Sequence, residues 1–89
     1  MYTCPICGYP KLKNELYDAN GEASFTICPC CGIEFGYEDA VKDKKDLPKR
    51  WEELRKKWIE SGAKWFSPKH KPKNWKLKEQ LKNLKNINN

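Results

Sequence analysis

The chain has 89 residues, 38% hydrophobic and 34% charged, which suffices for one small domain or a mini-domain with an appendage. A chain this short struggles to stabilise itself by core burial alone, so a metal or a cross-link is expected to help. Its net charge of +6 is unevenly placed: residues 1–46 carry five Lys against eight Asp or Glu, a net −3, and residues 47–89 carry thirteen Lys or Arg against four Glu, a net +9.

No apolar run approaches the roughly 18 residues of a membrane span. Met1-Tyr2-Thr3 opens with neither a basic nor an apolar leader region, so no signal peptide is expected. Reduced cysteines fit a cytoplasmic location without membrane contact.

Met1-Tyr2-Thr3 reads as a short strand entering Cys4-Pro5-Ile6-Cys7-Gly8. The same pattern returns as Cys28-Pro29-Cys30-Cys31-Gly32, with twenty residues between Cys7 and Cys28. Each Cys-x-x-Cys turn sets two sulfurs side by side, and two turns complete a tetrahedral shell with metal–sulfur bonds of about 2.3 Å. Proline starts each turn at a fixed φ, and the glycine lets the chain wrap the sulfur with φ > 0. One such motif fits a redox dithiol equally well, but two matched copies point to a metal held by Cys4, Cys7, Cys28 and Cys31. Four thiolates leave no open position for water, so the site reads as structural zinc, or as an electron carrier if the metal is iron. The fifth cysteine, Cys30, stands where Ile6 stands in the first knuckle. It is expected to be spare, either a small buried apolar group or a reactive thiol.

Residues 14–22 read as a connection turning at Asn20-Gly21. Residues 23–27 alternate, with Ala23, Phe25 and Ile27 on one face. Residues 33–37 alternate as well, with Ile33, Phe35 and Tyr37 together. The two runs predict a hairpin with the second knuckle at its tip, the arrangement of a zinc ribbon. Residues 38–46 form a charged connector, and Glu34, Glu38 and Asp39 are expected to be a solvated acidic turn.

A helix is predicted over 47–61. Leu47, Trp51, Leu54 and Trp58 make one apolar stripe, Asp46 a cap, Pro48 a first-turn residue and Gly62 a stop. Glu52 to Lys56 and Glu53 to Lys57 are favourably oriented pairs. Residues 63–68 read as extended, and His70, the only histidine, as solvent-exposed. Asn74 is expected to cap a final helix over 75–85 carrying Leu77, Leu81 and Leu84, with 86–89 fraying. The chain thus divides into a metal-binding module at 1–46 and a basic helical extension at 47–89 packed on it.

The basic half interleaves cations with aromatics at Lys64, Trp65, Lys69, Lys71, Lys73, Trp75 and Lys76, a pattern suited to phosphate contact and base stacking. Tryptophans buried in a core and solubilising lysines give the same pattern. No paired carboxylates, activated nucleophile or phosphate loop stand out, so the chain is not expected to be an enzyme.

The segments from Tyr2 to Tyr9 and from Ile27 to Gly32 resemble rubredoxin knuckles, although the gap between them is shorter and the basic tail has no counterpart there. A fuller resemblance is to small bacterial cysteine-rich proteins of the CPCC type. It rests on Cys4-Pro5-Ile6-Cys7-Gly8-Tyr9, on Ser24 to Cys31, on Phe35-Gly36-Tyr37-Glu38-Asp39, and on the Trp51 and Trp58 helix with Lys64-Trp65-Phe66 and Asn74-Trp75. That resemblance implies a compact metal-binding accessory protein, with no activity to carry over. The expected fold is a small α+β metal-stabilised domain, a zinc-ribbon or rubredoxin-like β-hairpin with two C-terminal helices. The expected function is a zinc-binding, non-catalytic module for a protein partner, with nucleic-acid binding or iron-based electron transfer as alternatives.

Overall fold

The computed structural model describes residues 1–86, so most of the fraying expected of 86–89 falls outside the described residues. Helix α1 spans Leu47–Glu60 and helix α2 spans Leu77–Leu81, with 3-10 turns at Lys44–Asp46, Pro68–His70 and Lys82–Asn86.

The apolar stripe of α1 behaves as its periodicity requires: Leu47, Leu54 and Trp58 are buried and Trp51 is half-buried. The C-terminus closes in a Schellman arrangement, with the Ala63 N–H on the Trp58 carbonyl at 2.8 Å and the Gly62 N–H on the Ile59 carbonyl at 3.0 Å. Gly62 supplies the positive φ, +107°, that this ending needs. At the other end Asp46 makes no side-chain cap. Asp43 accepts from the Lys45 N–H at 3.1 Å and starts the 3-10 turn that feeds α1. Glu53 pairs with Arg50, one turn before it, at 3.4 Å rather than with Lys57, the partner read from the sequence.

Helix α2 begins two residues later than expected, and Asn74 does not cap it. Trp75 is held outside the helix by a turn in which its N–H donates to the Pro72 carbonyl at 3.3 Å.

The predicted β-hairpin does not form. Among the described residues there is no strand, only single antiparallel bridges at Tyr2 with Leu12, Tyr17 with Ala23 and Ile27 with Glu34. The zinc-ribbon and rubredoxin-like fold expected from the alternating runs is therefore corrected to two helices and a set of turns around the cysteines. The physical reason is local. Phe25 sits at φ +57°, which breaks the alternation of its run and leaves Phe25 58% and Ile27 45% exposed. On the other run the Glu34 N–H donates to the Glu38 carboxylate at 3.0 Å and the Gly36 N–H to the Asp39 carboxylate at 2.6 Å. Facing the other run, the Phe35 N–H does reach the Thr26 carbonyl, but the Thr26 N–H turns to Ser24 Oγ at 3.2 Å and the Tyr37 N–H to the Glu34 carbonyl at 3.2 Å, so the pairing stops there and the chain curls. Phe35 turns inward and is fully buried, while Tyr37 turns outward.

Asp39 is also corrected. It is not in a solvated turn but fully buried, accepting from the Tyr17 hydroxyl at 2.8 Å and the Trp51 indole N–H at 2.9 Å as well as from Gly36. One carboxylate thereby ties the 14–22 connection, the 34–39 turn and α1 together. Burial, and then the hydrogen bond to Asp39, push the Tyr17 hydroxyl above its ordinary range.

The core gathers residues from both halves of the chain. Cys4, Ile6, Cys7, Tyr9, Leu12, Cys28, Cys30 and Phe35 come from the first half, and Leu54, Trp58, Ala63 and Trp65 from the second. Helix α1 packs on the knuckles rather than on a Phe25 face, because that face does not exist.

Candidate metal centre

The two knuckles meet face to face. The sulfurs of Cys4, Cys7, Cys28 and Cys31 all lie within 4.8 Å of one another. Across the knuckles, Cys4 Sγ is 3.8 Å from Cys31 Sγ and Cys7 Sγ is 3.7 Å from Cys28 Sγ. A tetrahedron with metal–sulfur bonds of about 2.3 Å has edges of about 3.8 Å. The sulfurs stand where four ligands of one ion stand, and far beyond the roughly 2 Å of a disulfide bond. All five cysteines are free thiols. These four residues can hold a metal ion; zinc and iron fit the geometry equally.

Charge supports the same conclusion. Four thiols this close, three of them fully buried, cannot all ionise unless a cation offsets them. The Cys28 thiol is driven far down by hydrogen bonds from Cys31, Cys4 and Cys7 and from the Cys31 backbone N–H. Cys7 is driven up, chiefly as a hydrogen-bonding partner of Cys28, and so is Cys31. A divalent ion removes this competition and lets every sulfur be a thiolate.

The turns are held by an accounting of carbonyls that the sequence did not reveal. In the first knuckle the Cys4 carbonyl accepts from the Gly8 N–H at 2.9 Å. The next two accept from Arg55 of α1: Nη2 to Pro5 at 2.8 Å and Nε to Ile6 at 2.7 Å. The last two accept from the C-terminal segment: Gln80 Nε2 to Cys7 at 2.9 Å and Asn83 Nδ2 to Gly8 at 2.9 Å. Carbonyls held in this way fix the peptide planes of the knuckle, and with them the positions of its two cysteines. In the second knuckle the clamp is backbone: the Ser67 N–H donates to Pro29 at 2.8 Å and the Phe66 N–H to Cys30 at 2.9 Å.

Gly8 is where this assembly is tightest. It has φ +85°, and a Cβ there would collide with the Gln80 carbonyl. Gly8→Ala is expected to lower the stability of the metal-loaded protein by about 2–4 kcal/mol, from left-handed strain plus overlap. Denaturant midpoints of variant and wild type check this, and an unchanged midpoint would contradict the clamp.

Cys30 stays outside the ligand set. It is fully buried and accepts from Gln80 Nε2 at 3.3 Å. The hydrogen bond with Cys7 holds its thiol below the ordinary range, against the effect of burial. His70 is exposed, shares a 2.8 Å hydrogen bond with Ser67 Oγ, and takes no part in the cluster.

The two tryptophans of the candidate binding patch, Trp65 and Trp75, pack into the fold. Trp65 is 9% exposed and stands edge-on to Tyr9 and Trp75, with ring centroids 5.7 and 5.5 Å apart. Its indole N–H has no hydrogen-bond partner among the described residues. Trp75 is half-buried, donates to Gln80 Oε1 at 2.8 Å and carries Lys71 Nζ 5.3 Å above its ring. Lys64, Lys69, Lys71, Lys73 and Lys76 are exposed. The two tryptophans therefore support the first knuckle from beneath, through Tyr9 and Gln80, and do not form an open stacking platform.

No family model matches the chain, and no solved structure matches it. It is similar to two uncharacterised proteins of Bacillus subtilis (strain 168). YoaQ is 54% identical over 39 residues, which are 43% of this chain and 33% of YoaQ. YozI is 46% identical over 41 residues, 44% of this chain and 34% of YozI. The match thus spans about a third of the length of each of these relatives. No helix among the described residues is long and apolar enough to cross a membrane.

Proposed function

We propose that the chain is a small zinc-binding protein whose four-cysteine site is structural, and that it serves as a non-catalytic accessory module for a protein partner. The observation that carries the metal reading is the pair of cross-knuckle sulfur distances, 3.7 and 3.8 Å, in a cluster whose Cys4, Cys7 and Cys28 are fully buried. Four thiolates fill a tetrahedral shell, which suits a structural ion and leaves no place for a metal-bound water. Large apolar side chains stay outside the core: Phe25 is 58%, Phe66 63% and Tyr37 72% exposed. They favour a protein surface as the partner, since aromatic residues are enriched where proteins meet.

The test is metal stoichiometry with a visible spectrum on untagged protein. One zinc per chain and no visible absorption is the expected result. One iron per chain with thiolate-to-iron charge-transfer bands would replace this reading with one-electron transfer.

A further inference from the structure

Of the four clustered sulfurs, three belong to residues with no exposed surface: Cys4, Cys7 and Cys28. Cys31 alone is partly exposed. It lies on a cleft of about 520 Å³ whose apolar lining is Ile33, Leu54 and Trp58 and whose charged groups are Arg50, Lys57 and Glu38. Of the four cysteines, Cys31 alone borders this cleft. Cys4 lies across the knuckles from Cys31, sulfur to sulfur 3.8 Å, and a modest closure would bring that pair to bonding distance. Cys30, the spare thiol, faces Gln80 and Cys7.

We propose that Cys31 is a site of oxidative modification, attacked by hydroperoxides through this cleft and resolved by Cys4 with loss of the metal. The proposal rests on the four-cysteine site holding a metal, which keeps the sulfurs as thiolates and so as nucleophiles. The Cys31 sulfur attacks the outer peroxide oxygen. The S–O bond forms, the O–O bond breaks, and the departing alkoxide or hydroxide takes a proton from water. Cys31 is then a sulfenic acid. The Cys4 thiolate attacks the Cys31 sulfur, the S–S bond forms, the S–O bond breaks, and hydroxide leaves and is protonated to water. In sum two thiolates lose two electrons, one peroxide gains them, and two protons are taken up. The metal, left with Cys7 and Cys28, dissociates. Arg50 and Lys57 favour the negative charge that moves along this path.

The experiment uses the full chain, with its zinc content measured first. A limiting amount of N-ethylmaleimide is added and the alkylated peptides are identified by mass spectrometry. A second sample receives one equivalent of hydrogen peroxide, with zinc release followed by a chromogenic chelator and the disulfide mapped. Cys31 is expected to be labelled about ten-fold faster than any other cysteine. Peroxide is expected to release one zinc per chain as a Cys4–Cys31 disulfide forms, and Cys30→Ser is expected to do the same. Faster labelling at another cysteine, zinc retained after oxidation, or a disulfide formed first between Cys7 and either Cys28 or Cys30 would overturn the proposal. A chain that carries no metal ion at the outset would overturn the metal reading beneath it instead.

Discussion

Removing the metal from the reduced protein with excess chelator is expected to abolish cooperative unfolding and collapse the helical circular-dichroism signal. Structural zinc contributes roughly 10–16 kcal/mol of apparent binding free energy, and that energy is also folding energy. A domain of this kind has a net stability of about 5–15 kcal/mol, so loss of the ion is enough to unfold it. The architecture shows why the helices cannot persist alone. Helix α1 has its buried stripe against the knuckles, and Arg55 spends two donors on the Pro5 and Ile6 carbonyls. Helix α2 has only five residues, and it and the 3-10 turn that follows are tied through Gln80 and Asn83 to Cys7 and Gly8. A helix that short has no stability of its own in water. Because the ligands must be thiolates, acidification should release the ion and unfold the chain in one step. A metal-free, reduced sample that kept a sharp denaturant transition would refute the view that the ion nucleates this core.

Asp39→Ala is expected to destabilise the metal-loaded protein by about 3–5 kcal/mol, the second-largest effect. The carboxylate is fully buried and accepts from Tyr17, Gly36 and Trp51. Hydrogen bonds to a charged group contribute roughly 1.5–3 kcal/mol each, and a donor left buried without a partner costs about 1–3 kcal/mol. The loss is less than the sum because water reaches part of the space. Tyr17→Phe removes one donor and leaves the others, so about 1 kcal/mol is expected. Urea denaturation of both variants, with zinc content measured alongside, gives the comparison. If the two variants cost the same, Asp39 is not the shared acceptor that its geometry makes it.

Much of the candidate site was legible because its information is local. The Cys-Pro-x-Cys-Gly spacing brings two sulfurs together within a single turn, and its glycines at positions 8 and 32 do adopt positive φ. What failed was the hairpin. Five-residue alternation is weak evidence for a strand, and here Ser24 Oγ and the Glu34 carbonyl took the Thr26 and Tyr37 N–H groups that a longer ladder would have used. The same local capture hid Asp39, which lay in a run of charges that composition assigns to solvent.

The sequence alone determined the four clustered cysteines, the extent of α1 and its stop at Gly62. Each follows from spacing within a few residues, where backbone preference and helical periodicity act directly. Only the tertiary structure decided what the rest of the chain does for those cysteines. Arg55 meets Pro5 and Ile6 across about fifty residues, and Gln80 meets Cys7 across 73. It also turned Trp65 and Trp75 from apparent binding groups into supports of the first knuckle. Contacts between distant polar groups and buried aromatics leave no periodic trace, because they are set by where the packed chain brings each side chain.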